Sequence, residues 1–177
     1  APAWSEAVIG SKAPRFEAKT SEGKSVQLSA FDNQWVVLEW VNFDCPFVRR
    51  QYDSEKMQNL QKKWGDQGVV WLSVCSSAPG KQGYLNAQDM QQKLQAEKSN
   101  AKHMILDPEG KLGRLYGAKT TPHMFVVDPK GNVIYAGAID DKREVNYVEK
   151  ALTEAKSGKK VSQPQTQAYG CGVKYSD

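Results

Sequence analysis

Residues 35–42, Trp-Val-Val-Leu-Glu-Trp-Val-Asn, are β-branched or aromatic at most positions and apolar on both sides of any strand pleat. A run of that length and composition is predicted to be a strand buried on both faces, which requires a sheet with helices covering each side. Helical signals follow at once. Pro46 suits a first helical position, and Val48, Tyr52, Met57, Leu60 and Trp64 recur at near-helical spacing until Gly65 and Gly68 stop the pattern. Asp53-Ser54 marks a kink or a restart within it. Residues 69–74, Val-Val-Trp-Leu-Ser-Val, read as a second buried strand. Strand, helix and strand in that order build a parallel pair through a crossover, so the chain is committed to an α/β architecture.

The remaining segments complete the same plan. Residues 16–20 and 25–28 are joined by Ser21-Glu22-Gly23-Lys24 and predict an N-terminal β-hairpin. Asn86 can cap a helix over 87–98, and residues 104–106 give a third strand closed by Asp107-Pro108. A short helix over 111–116 precedes strands at 124–127 and 133–138, joined by Asp128-Pro129-Lys130-Gly131. A last helix is expected over 146–157, with Val148, Ala151 and Leu152 on one face. The expectation is a central mixed β-sheet flanked by helices in one domain, 1–157, followed by a polar tail, 158–177, that carries Cys171.

Composition narrows the function classes. A net charge of +4 comes from basic residues scattered along the chain, with no basic stripe and interleaved aromatics, so nucleic acid is not an expected partner. No apolar run approaches the roughly 20 residues of a membrane-spanning helix, so no membrane insertion is expected. Ala1-Pro2-Ala3 resembles what a signal peptidase leaves behind, which predicts an exported, periplasm-like location. A cytoplasmic chain trimmed at its start is the alternative.

Three cysteines, at 45, 75 and 171, cannot all pair with one another. Their spacing contains no C-x-x-C knuckle, and His103 and His123 lie near none of them in sequence, so neither a metal site nor a cofactor is predicted. Cys45 opens a helix, where unpaired backbone N–H groups and partial positive charge favour a thiolate. The competing reading is a small inert cap. Arg49 and Arg50 either add positive charge there or are simply solvated. Cys75, at a strand end beside Ser76-Ser77, is a core residue or an alternative sulfur partner. Tyr84 and His123 either line the site or pack in loops.

Four stretches carry a resemblance: Ala13-Pro14-Arg15-Phe16, the strand leading to Cys45-Pro46, Thr121-Pro122, and Phe125-Val126-Val127-Asp128-Pro129-Lys130-Gly131. With them the chain resembles the thioredoxin-like superfamily, in particular the redoxins of the alkyl hydroperoxide reductase and thiol-specific antioxidant group. Departures are specific. Val48 stands where a thioredoxin has its second cysteine. Leu38 and Asn42 stand where a typical peroxiredoxin has proline and threonine, and no arginine lies near Pro122. The pattern is similar to a peroxiredoxin-like subgroup in which Asn-x-x-Cys-Pro-Phe-Val and a terminal Tyr-Gly-Cys-x-Val-Lys-Tyr occur together, here residues 42–48 and 169–175.

The resemblance implies a thioredoxin-like fold and a thiol-dependent oxidoreductase with antioxidant activity. Cys45 would attack a peroxide or disulfide substrate, and Cys171 would resolve the product, with an external thiol reductant such as a thioredoxin-like donor as partner. Asn42 and Thr121 would polarise or position the substrate. Pro122 corresponds to a cis-proline set against the active cysteine; from the residues alone, an ordinary turn proline is the alternative. Cys171 as an incidental tail thiol, within a disulfide-exchange, redox-sensing or binding module, is the competing implication.

Overall fold

A computed structural model describes residues 7–177; the Ala1-Pro2-Ala3 start lies outside the described residues. Nine strands are described: β1 Glu17–Thr20, β2 Ser25–Gln27, β3 Trp35–Trp40, β4 Val69–Cys75, β5 His103–Leu106, β6 Thr120–Thr121, β7 His123–Val127, β8 Val133–Gly137 and β9 Cys171–Gly172. The helices are α1 Pro46–Asp53, α2 Lys56–Gly65, α3 Ala87–Ala96, α4 Lys111–Tyr116 and α5 Tyr147–Lys156, with a 3-10 turn at Leu28–Phe31. Seven strands form one sheet in the order β2-β1-β5-β4-β3-β7-β8. Strands β3, β4 and β5 run parallel, joined by helical crossovers, and β7–β8 is the antiparallel closing hairpin. The expected α/β fold, with its mixed sheet and N-terminal hairpin, is the one observed.

β3 is central, between β4 and β7, and its residues alternate between two cores. Val36, Leu38 and Trp40 face α4 and the 3-10 turn, where Trp40 meets Phe125 and Tyr116 with ring centroids 5.3 and 5.7 Å apart. Val37 and Val41 face α1, α2 and α5. The predicted long helix divides: Ser54 ends α1, and Glu55 takes a left-handed φ of 61° before α2 restarts. Asn86 caps α3 as expected, its side chain accepting from the Asp89 N–H at 2.8 Å. None of the described helices is long and apolar enough to cross a membrane.

Two features lay beyond the sequence reading. The first is the second sheet, β6 with β9, which ties the C-terminal segment to the residues before Pro122. The second is Glu39, whose position between Val37 and Val41 puts a carboxylate fully inside the helix-covered core. Four side chains turn donors toward it: Tyr52 Oη at 2.6 Å, Trp71 Nε1 at 2.7 Å, Gln61 Nε2 at 3.0 Å and Ser73 Oγ at 3.1 Å. They come from α1, α2 and β4, so one carboxyl group ties both halves of the broken helix to the sheet.

Burial still pushes the Glu39 carboxyl above its ordinary 4.5, against those hydrogen bonds. A raised folded pKa means the folded state favours the protonated form, so its stabilising effect is complete below 4.5 and fades as pH rises through the folded pKa. Glu39→Ala strands four donors in the core and is expected to lower unfolding free energy by about 3 kcal/mol or more, read by urea denaturation. Glu39→Gln, which does not titrate, should compare worst with the natural chain at low pH and recover ground as pH increases.

Candidate active site

β3 ends at the carboxyl edge of the sheet, and the next residues make a tight turn into α1. Asn42 builds it: its Oδ1 accepts from the Asp44 N–H at 2.9 Å, and its carbonyl accepts from the Cys45 N–H at 3.0 Å. Its Nδ2 donates to Gln82 Oε1 at 3.0 Å, which ties the turn to the loop after β4. Cys45 therefore sits at the N-cap of α1 with extended backbone angles, and Pro46 follows at the first helical position.

The Cys45 side chain does not face water. Cys45 is 0% exposed, and its sulfur lies 2.7 Å from the Cys171 sulfur and 3.4 Å from the Thr121 carbonyl oxygen. Both thiols are free, at a separation from which a disulfide of about 2.05 Å needs a shift of under an ångström. The Thr121–Pro122 peptide bond is cis. Thus Cys45, Cys171, Thr121 and Pro122 converge, and Asn42 braces the turn that aims Cys45.

Electrostatics separates the two sulfurs. Burial pushes the Cys45 thiol up, but hydrogen bonds from Cys171, Thr121 and the Val48 and Cys171 N–H groups outweigh it and hold the thiol below its usual range. Cys171 moves the other way, raised by burial and by the hydrogen bond and negative charge of Cys45. The two thiols titrate as a pair, with Cys45 shifted down and Cys171 shifted up. The Thr121 hydroxyl is buried without a partner of full hydrogen-bond geometry, and the group it acts on is the Cys45 sulfur, whose thiol it helps to hold down.

Cys171 is delivered by a segment fastened on both sides. Thr120 and Thr121 of β6 pair antiparallel with Gly172 and Cys171 of β9. Upstream, Tyr169 donates to Asp140 and packs edge-on against Phe47, centroids 5.8 Å apart. Downstream, the Val173 N–H donates to Lys119 O at 3.0 Å and Tyr175 Oη to Ala118 O at 2.6 Å. Gly170, at φ +142°, has no room for a side chain: a Cβ there would lie 2.0 Å from Thr121 O.

Other sequence candidates lie elsewhere. Arg49 is engaged by Asp53 and by Glu97, at 2.6 Å, which neutralises its charge. Cys75 is buried in the core with its thiol raised by burial, its sulfur donating to Gly83 O at 3.6 Å. His123 stacks on Phe125 and accepts from the Lys119 N–H, while Tyr84 is exposed. Sequence reasoning missed the roles of Tyr169, Phe47 and Asp140; Tyr169 and Phe47 both lay in the quoted motifs and were the available signals. Among the described residues no group of three His, Cys, Asp or Glu could hold a metal ion.

Residues 9–136 match the AhpC/TSA family. The chain belongs to that family. No curated protein matches it in sequence. Among solved structures, a hypothetical protein from Sinorhizobium meliloti superposes with a TM-score of 0.85 at 19% identity, over 97% of each chain. A thiol:disulfide interchange protein from Bacteroides sp. gives 0.63 at 23% identity, over 86% of this chain and 95% of that one. A secreted Mycobacterium tuberculosis disulfide oxidoreductase gives 0.54 at 16%, over 67% and 79%. This AhpC/TSA member therefore has the thioredoxin-like fold.

Thr121→Val removes a hydroxyl that stabilises only the Cys45 thiolate. Titration of thiolate absorbance near 240 nm is expected to show the low-pH thiol transition moving upward in the variant. Thermodynamic stability should change by under about 1 kcal/mol, because the hydroxyl has no partner to lose.

Proposed function

We propose that this AhpC/TSA protein is a thiol–disulfide oxidoreductase whose working couple is Cys45 and Cys171. The observation that carries the reading is the 2.7 Å approach of a lowered-pKa, helix-capping thiol to a second thiol held by its own docked segment. In the oxidising direction, a substrate disulfide or peroxide takes two electrons from the pair, and a Cys45–Cys171 disulfide forms. In the reducing direction, an external dithiol returns two electrons. Asn42 positions Cys45 through the turn, and Thr121 with Pro122 holds the Cys171 strand against it.

Disulfide interchange is supported better than peroxide reduction. A peroxide must reach Cys45 itself, which is fully buried, whereas interchange needs only the half-buried Cys171. An exported location belongs to this reading, since disulfide couples persist most readily outside reducing cytosol.

Equilibration in glutathione buffers of graded potential, followed by acid quench and mass spectrometry, is the test. One two-electron transition joining Cys45 to Cys171, with Cys75 free and a Cys75→Ser variant unchanged, is expected; a chain that stays fully reduced in the most oxidising buffer overturns the proposal. Stopped-flow mixing with hydrogen peroxide should give a rate near that of an ordinary thiol. A rate several orders of magnitude higher would establish the peroxidase reading instead.

A further inference from the structure

Cys171 lies in a stretch that is poor in register information. Its strand is two residues long, and its neighbours on either side, Gly170 and Gly172, have no side chains. Pairing sets Cys171 opposite Thr121 and Gly172 opposite Thr120. Side chains alternate along a strand, so a slip of one residue turns the Cys171 sulfur away from Cys45, and a glycine-rich strand resists such a slip weakly. The bonds that follow, from the Val173 N–H to Lys119 O and from the Ala78 N–H to Lys174 O, are backbone bonds that a slipped chain can form with its next residue.

A side chain seated in a shaped recess removes that freedom, and Tyr175 has one. Helix α4 carries glycine at its N-cap, Gly110, and in its interior, Gly113. Gly110 has a left-handed φ of +72°, which accounts for glycine there. Gly113 is ordinary helix, where glycine is less stable than alanine, so its reason is contact. A Cβ on Gly113 would overlap Tyr175 Oη and lie 2.8 Å from Tyr175 Cε1, and one on Gly110 would lie 2.6 Å from Tyr175 Cδ1. The ring therefore occupies the space of two missing side chains. Its hydroxyl donates to Ala118 O at 2.6 Å, and the Arg114 guanidinium lies over its face, 4.7 Å from the centroid.

The recess is itself tied to the strand that delivers Cys45. Asp107 accepts from the Leu112 and Gly113 N–H groups at 3.0 and 2.9 Å and from Ser76 Oγ at 2.6 Å, and Ser76 Oγ accepts from Trp40 Nε1 at 3.0 Å. Trp40 closes β3. Resting on the Cys45–Cys171 reading, we infer that Tyr175 is a positioning residue for the couple: seated against Gly110 and Gly113, it fixes the register of β9 and keeps the Cys171 sulfur turned toward Cys45. It acts through the backbone between Cys171 and itself. Tyr169 fixes the chain only as far as Gly170, so the register beyond that point is set from the Tyr175 side.

The measurement is the equilibrium in which the Cys45–Cys171 disulfide and two glutathione thiols give two protein thiols and one glutathione disulfide, followed on the full chain by acid quench and mass spectrometry. Tyr175→Ala is expected to lower the constant for disulfide formation by about tenfold or more, about 30 mV in midpoint. Gly113→Ala, which fills the recess, should shift it the same way in the natural chain and not at all in Tyr175→Ala, while Tyr175→Phe stays near the natural midpoint. In the reduced chain, alkylation of Cys45 by iodoacetamide should quicken in Tyr175→Ala, because the sulfur that covers it turns away. This reads the register without the disulfide, and urea denaturation verifies that each variant is folded. A natural midpoint and alkylation rate in folded Tyr175→Ala, or a Gly113→Ala shift that persists once Tyr175 is gone, overturns the inference. A natural chain that forms no Cys45–Cys171 disulfide is instead the failure of the functional proposal.

Discussion

The pairing of Thr121 with Cys171 across two short strands decides where the second sulfur sits, and the rest of the site is arranged around it. Two-residue strands hold poorly by themselves. Here they are buttressed by the Tyr169–Phe47 ring contact and by the backbone and hydroxyl bonds of Val173 and Tyr175. A ring pair contributes about 1 kcal/mol and each net hydrogen bond about the same, so no one contact fixes the segment and several act together. The consequence is chemical. Two thiols far apart in sequence behave as an intramolecular pair, with the large effective concentrations that fixed neighbours reach.

The other side of the site is fixed by the sheet. β3 must be buried on both faces to be central, and its carboxyl end delivers Cys45 to the start of α1. Glu39 secures that delivery from beneath, binding α1 through Tyr52, α2 through Gln61 and β4 through Trp71 and Ser73. The core thus couples to the active-site helix through one carboxyl group and four donors, in a place where an apolar residue would have packed without specifying the helix break.

Much of this was legible in the sequence because it rests on local signals. The strand at 35–40, the proline-started helix, the Asn86 cap and the two hairpins each announce themselves within a few residues. Thr121-Pro122 and the terminal Tyr-Gly-Cys motif were recognisable as a pattern, but their contact was not, because β6–β9 pairing joins residues about fifty apart through backbone groups that carry no sequence signature. Glu39 stands in the strand as one charged residue among apolar ones, with nothing nearby in sequence to show its role. Its partners come from three elements, and no local period connects them. The segment after residue 157 read as polar tail because its anchors are single residues, Thr166, Tyr169 and Tyr175, each with a remote partner.

The central claim is that non-covalent docking, not the disulfide, brings Cys171 to Cys45. Hydrogen–deuterium exchange across residues 164–175 in the fully reduced and the oxidised chain tests it most directly. The account predicts that the β9 amides and their flanks are protected in both states, with only a modest gain on oxidation. Protection that appears only once the disulfide has formed would show that the bond recruits the segment, and would contradict the account.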